Sequence, residues 1–279
     1  MDVSDPVDAQ SAGLCRALGP VLATSLVHDP AAATRLGVDT ILPAAIALRA
    51  LQRSPRARGR HCLLHRRCRI LPADGATGAA GPEGATGLPA VDVTERAGWQ
   101  LVRARAVVGP SRSGGRWPDG AVVVHELARR LDDAPADAAP PRPPARSRSA
   151  GRAPDHDTGA RPPGAGRAVR IGALDVAEWA EAGGDRNRVH TVPGAAREAG
   201  LRVGADDVVA HGLLLAAVSL ALVPAEENAV EARMPAPLPV PAAGVAPTRE
   251  PDAPPSACVL VDGRTGELTA GGRCVLRRR

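Results

Sequence analysis

Asp185, Asn187 and His190 stand close together in Gly184-Asp185-Arg186-Asn187-Arg188-Val189-His190, and further on His211-Gly212 leads into the apolar run Leu213-Leu214-Leu215-Ala216-Ala217-Val218. A carboxylate and an imidazole facing one pocket can hold a water molecule between them and move its protons, because both can be poised near neutral pH. Asn187, lying between them, can hydrogen-bond and orient either one. Gly212, opening an apolar helix, offers a backbone N–H at the positive end of the helix dipole, where a developing enolate oxygen could rest. Asn occurs in the chain only at 187 and 228, so the cluster stands out from a monotonous background. Asp185, Asn187 and His190 alone also read as a capped turn with a surface histidine; the following His-Gly element favours the chemical reading.

These residues need a scaffold, and the hydrophobic patterning describes one. Residues 12 to 26 and 42 to 51 show helical periodicity. The pattern then turns strand-like over residues 62 to 64, 100 to 108 and 121 to 127, with Gly/Ser/Pro turns between. Short turns between neighbouring strands imply antiparallel pairing. The second half repeats the plan: a helix over 176 to 182, the polar cluster, an apolar helix over 212 to 223, and strands at 230 to 234, 257 to 261 and 273 to 276. Two helix-then-sheet modules in tandem make an α+β pseudo-dimer. Between them, residues 133 to 167 are rich in Pro, Ala, Arg and Gly and carry almost no large apolar side chain, which reads as a linker. The division is thus 1–132, a linker at 133–167, and 168–279 carrying the cluster. Residues 247 to 255 hold four prolines where a sheet would want a strand.

Composition narrows the function classes. Among 279 residues, 44% are hydrophobic, yet there is no Phe, no Tyr and only Trp99, Trp117 and Trp179, so Val, Leu and Ala must fill the core. All 35 basic residues are Arg, and the net charge is +5. With almost no aromatic side chains to stack on bases, that charge does not imply nucleic-acid binding. Five cysteines without a C-x-x-C pair argue against a disulfide framework and for a reducing cytoplasm. The acidic, polar N-terminus is unlike a secretory signal, and the longest apolar run read from sequence, 213 to 223, is short for a membrane span. His61, Cys62, His65 and Cys68 include metal-ligand types, but their spacing departs from common zinc knuckles, and the segment reads as a strand with no metal expected. Arg277, Arg278 and Arg279 read as a frayed, solvated tail, with contact to a CoA phosphate or an acidic carrier protein as the alternative.

The motif residues resemble the MaoC-like acyl dehydratases and (R)-specific enoyl-CoA hydratases. That family's signature runs Ser-Gly-Asp-x-Asn-Pro-hydrophobic-His, then a small-residue patch, then a hydrophobic-His-Gly. Here it reads Gly183-Gly184-Asp185-Arg186-Asn187-Arg188-Val189-His190, then Ala195-Ala196 and Ala199-Gly200, then Val209-Ala210-His211-Gly212. Arg188 replaces the Pro, Gly183 replaces the Ser, and the stretch from 201 to 209 is a few residues longer than in compact members. The resemblance covers residues 170 to 241 and implies a tandem, double hot-dog fold, each half an antiparallel sheet wrapped around a central helix, the first half without a catalytic motif. It implies reversible hydration of trans-2-enoyl thioesters to (3R)-3-hydroxyacyl thioesters in fatty-acid or related lipid metabolism. By that resemblance Asp185 and His190 are catalytic, Asn187 orients them, Gly212 N–H binds the thioester oxygen, and His211 is a structural residue at the pocket entrance. The partner is an acyl-CoA or acyl carrier protein thioester, with no cofactor, no membrane insertion, a pseudo-dimer within the chain and a homodimer as a further option. A non-catalytic or impaired acyl-thioester-binding protein is the alternative.

Overall fold

A computed structural model describes residues 6–25, 27–54, 63–73, 89–110, 116–131, 166–185, 187–226, 228–242 and 256–279. The first half opens with helices α1 (Pro6–Ala23) and α2 (Pro30–Arg53), followed by strands β1 (Leu64–Pro72), β2 (Ala90–Arg96), β3 (Trp99–Val108) and β4 (Ala121–Arg130). The second half runs β5 (Arg167–Gly172), α3 (Ala173–Gly183), the single turns α4 (Arg188–Thr191) and α5 (Ala195–Glu198), β6 (Asp207–Val209) and α6 (Gly212–Leu222). It ends with β7 (Val230–Arg233), β8 (Pro239–Pro241), β9 (Ser256–Val261), β10 (Leu268–Ala270) and β11 (Arg273–Arg278).

Nine strands form one sheet in the order β2-β3-β4-β1-β7-β11-β10-β9-β5, and β6 and β8 pair separately. Every pairing is antiparallel, as the short turns imply. The halves join where β1 meets β7, with Arg67 opposite Arg233 and Cys68 opposite Ala232. Glu231 gathers the guanidinium groups at this seam: Arg67 at 2.7 Å, Arg69 at 3.4 Å and Arg233 at 2.6 Å, while Arg67 also reaches Glu126 of β4 at 3.3 Å.

Local sequence explains the elements that place the site. Asp29 caps α2 by accepting from Ala32 N at 2.9 Å, and Pro30 supplies a preset first helical φ. The helix therefore starts well before residue 42, where its periodicity is clearest. It is long and apolar enough to cross a bilayer by length and composition, but 67% of its apolar window is buried within the protein. Its partner α6 is buried on every side, as an all-apolar helix must be. The two lie so close at Gly37 that a Cβ there would come within 2.6 Å of the Ala217 carbonyl. In β3, Val102, Ala104, Ala106 and Val108 face inward while Arg103 and Arg105 face out, the period of two that made this strand legible. All three tryptophans are buried, and Trp117 Nε1 donates to Thr40 O of α2 at 3.0 Å.

Several expectations change. β2 is largely exposed and carries little hydrophobic alternation, so sequence periodicity overlooked it. Arg278 is no frayed end: it lies in β11, and its guanidinium donates to the Ser219 and Val223 carbonyls that end α6. The expected linker lies, apart from its last two residues, outside the described residues, as do the prolines at 247 to 255; Arg167 already belongs to β5.

Candidate active site

Helix α3 stops at Gly184, whose left-handed φ of +70° lets Asp185 N turn back to Ala180 O at 3.0 Å. Asp185 is thereby delivered directly off the helix end into the interior. Asn187 then starts α4: its Oδ1 accepts from Val189 N at 3.4 Å and its Nδ2 donates to Leu63 O at 2.6 Å, just before β1. His190, inside α4, is buried with it. His211 is the N-cap residue of α6, its carbonyl accepting from Leu215 N at 3.1 Å.

These four residues meet around the Asp185 carboxylate. Oδ1 accepts from Gln52 Nε2 at 2.5 Å and from Asn187 N at 3.1 Å. Oδ2 lies 3.2 Å from His211 Nδ1 and 3.9 Å from His190 Nε2. The two imidazoles stack with centroids 3.6 Å apart and planes 27° from parallel. His190 Nδ1 faces Val209 O at 2.6 Å; since a carbonyl only accepts, Nδ1 carries the hydrogen and the neutral ring keeps its lone pair on Nε2, toward Asp185. Asn187 thus orients Asp185 through its backbone, while its side chain ties the loop to the first half. His211 is not at an entrance: it is only 3% exposed and sits nearer the carboxylate than His190 does, because the start of α6 points into the cluster. Gly212 is buried, and a Cβ there would fall 2.7 Å from Met234 Cε and 3.2 Å from His65 Cβ, so a larger residue would have to push the Met234 side chain aside. Arg188 is largely exposed and reaches toward Glu198 at 3.9 Å, away from the cluster.

Electrostatics separate the members. Burial raises the Asp185 carboxyl, but the hydrogen bond and charge of His211, the charge of His190 and the Asn187 N–H outweigh it and hold the group well below the usual carboxylate range. Burial and neighbouring His211 press His190 down to about 3, against the opposing pull of Asp185 and the Val209 carbonyl. At neutral pH the pair is therefore a carboxylate and a neutral imidazole, both proton acceptors.

A second histidine pair lies behind the first. His125 Nε2 faces Ala44 O at 3.1 Å and must donate, leaving its Nδ1 to accept from His65 Nε2 at 2.8 Å. Burial lowers His65 well below its ordinary value and His125 to about 4. Two donor sets could in principle hold a cation: Asp185, His190 and His211, or His65, Cys68 and His125, each with ligand atoms within 4.8 Å. In the second, the facing histidine nitrogens bond one another and burial pushes the Cys68 thiol up, so its donors are not disposed for a metal. His61 and Cys62 lie outside the described residues.

No protein-family model and no curated protein sequence matches the chain. Solved structures do. HtdX from Mycobacterium tuberculosis aligns over 98% of this chain and 94% of its own, with a TM-score of 0.52 and 20% identity. A MaoC-like dehydratase aligns over 96% and 90%, at 0.51 and 16%. Full-length peroxisomal multifunctional enzyme type 2 from Drosophila melanogaster aligns over 96% of this chain but 45% of its own, at 0.51 and 17%. The fold is that of the MaoC-like dehydratases. In this MaoC-like fold the first half reaches the cluster through Gln52 and the Leu63 carbonyl, which carry no local sequence signal, and through His65, which stands out only within the His61, Cys62, His65 and Cys68 grouping. The one clue was that His65 and His125 are two of only seven histidines in the chain, both within strand-like stretches.

Proposed function

We propose that the protein is a hydro-lyase that reversibly adds water to a trans-2-enoyl thioester, giving the (3R)-3-hydroxyacyl thioester, with CoA or an acyl carrier protein as the carrier. The observation that carries this reading is the ionised Asp185 beside a neutral His190 whose Nε2 lone pair faces it across 3.9 Å. A gap of that size is long for a direct hydrogen bond and suits a water held by both groups. The MaoC-like fold supports the same class of chemistry, and the two halves are read as paired hot-dogs, 1–132 and 168–279, with the site where they meet.

In the hydration direction His190 Nε2 takes a proton from that water while Asp185 accepts its other hydrogen, and the water oxygen bonds to C3. The C2=C3 electron pair moves toward the thioester carbonyl, forming an enolate. Gly212 N–H, among the unpaired amides at the start of α6, stabilises that oxygen. His190 then returns the same proton to C2, on the face from which water came, so atoms and charge balance and the addition is syn. Asn187 keeps Asp185 and His190 in register by bonding one through its backbone and capping the turn that bears the other.

Incubating the protein with a short trans-2-enoyl-CoA in D2O tests this. Loss of enoyl absorbance, with a (3R)-3-hydroxyacyl product carrying one deuterium at C2, is expected. Tight binding without turnover would replace the reading with a non-catalytic acyl-thioester binder.

A further inference from the structure

His211 is the member of the cluster that the proposed reaction leaves without a task, yet it is nearer to Asp185 than the proton carrier is. Asp185 Oδ1 is already committed to Gln52 Nε2 and Asn187 N. Oδ2 is thus the oxygen left to face water, and among the described residues its one partner within hydrogen-bond distance is His211 Nδ1 at 3.2 Å. We propose that His211 is a positioning residue for this reaction: its Nδ1–H clamps Asp185 Oδ2, keeping the carboxylate an acceptor aimed at the water and leaving His190 Nε2 as the atom that picks up and returns the proton. The proposal rests on the hydro-lyase reading.

Three further observations support it. The His211 backbone is fixed as the first carbonyl of α6, and its ring is fixed by the stack on His190, so the clamp is rigid from both ends. Its Nε2 is buried and has no hydrogen-bond partner among the described residues, a standing cost that a residue kept for packing alone would avoid. The cluster is also crowded with groups that respond to one another. His65 on β1 feels Asp185, His190 and His211, His125 on β4 lies behind it, and Arg49 of α2 stands against Gly184. Without the clamp, Asp185 would lose its strongest opposition to burial and His190 would lose a neighbour that depresses it, so both would titrate at higher pH.

The test compares wild type with His211→Leu, His211→Asn and His211→Gln on one enoyl thioester, each first checked for a cooperative thermal transition. For His211→Leu, kcat should fall about 30-fold with KM within about twofold, since orientation rather than substrate contact is lost. Its acidic limb in the kcat/KM profile should move to higher pH. Asn places an amide N–H where Nδ1 stood and should recover most of kcat and the wild-type profile, whereas Gln carries its amide one bond further and should recover less. If wild type turns over and a folded His211→Leu keeps its kcat and pH profile, the clamp is refuted. If His211→Leu does not fold, Gln outperforming Asn refutes it instead. Absence of turnover in wild type would strike the hydro-lyase reading itself, a separate outcome.

Discussion

Two histidine pairs sit back to back in this protein, and they differ in what their nitrogens are allowed to do. His65 and His125 are tilted by 50° at 4.9 Å and spend their facing nitrogens on one another and on the Ala44 carbonyl. His190 and His211 are stacked at 3.6 Å, and neither bonds the other. Instead a carboxylate takes the edge of the stack, and His190 Nε2 is left with a lone pair. The first arrangement knits β1 and β4 to α2, whereas the second leaves an acceptor free beside an ionised group. Residue type is the same in both; the presence of Asp185 and the choice of carbonyl partner tie up the nitrogens of one pair and leave the other with the free acceptor that the proposed reaction needs.

That contrast breaks most readily by exchanging the burden of mutation. His190→Gln should reduce turnover of an enoyl thioester by about a thousandfold, the scale of a lost general base, while His125→Gln should stay within about tenfold of wild type. Equal losses would merge the two pairs into one functional unit. In stability the order should reverse: His125→Leu strands the His65 donor in the interior and removes the tie to the Ala44 carbonyl, and should cost about 2 kcal/mol, read as a lower denaturation midpoint.

How much of this was legible beforehand follows from which contacts are local. Asp185 and His190 could be placed in one pocket because a helix end and a single turn separate them, and Gly212 because an apolar run began there. β3 was legible from alternation and β4 from its apolar run, and the seam between β1 and β7 was not, since nothing in Arg67 or Arg233 announces the partner. That His211 faces Asp185 was not legible for the same reason: only the packed start of α6 turns it inward. Gln52 comes from the far end of α2, a contact no spacing rule can express.

A pH series sharpens the comparison further. His125 and His190 have folded values of about 4 and 3, below the roughly 6.5 of an exposed histidine. The unfolded chain therefore binds more protons between pH 6.5 and 4, and stability, complete above that window, must fall as pH drops through it. The melting temperature should decline from pH 7 to 4.5, and His125→Leu should flatten part of the slope. A melting temperature independent of pH in that window would contradict neutral burial of His125 and His190.

The smallest effect concerns the loop that carries Asp185 and His190. Asn187 has φ −64° and ψ 120°, an extended conformation that a following proline favours, and Arg188 is the first residue of α4. Arg188→Pro should therefore be tolerated and should raise stability by about 0.5 kcal/mol without loss of turnover. A marked loss would mean that the Arg188 side chain itself takes part.

The proposed chemistry turns above all on Asp185 being the charged centre of the second pair. Asp185→Asn keeps the size of the side chain and removes the charge, so its kcat/KM for trans-2-enoyl-CoA hydration, measured on protein that still melts cooperatively, is the most direct measurement. A loss of about a thousandfold or more is predicted; turnover equal to wild type would contradict the assignment.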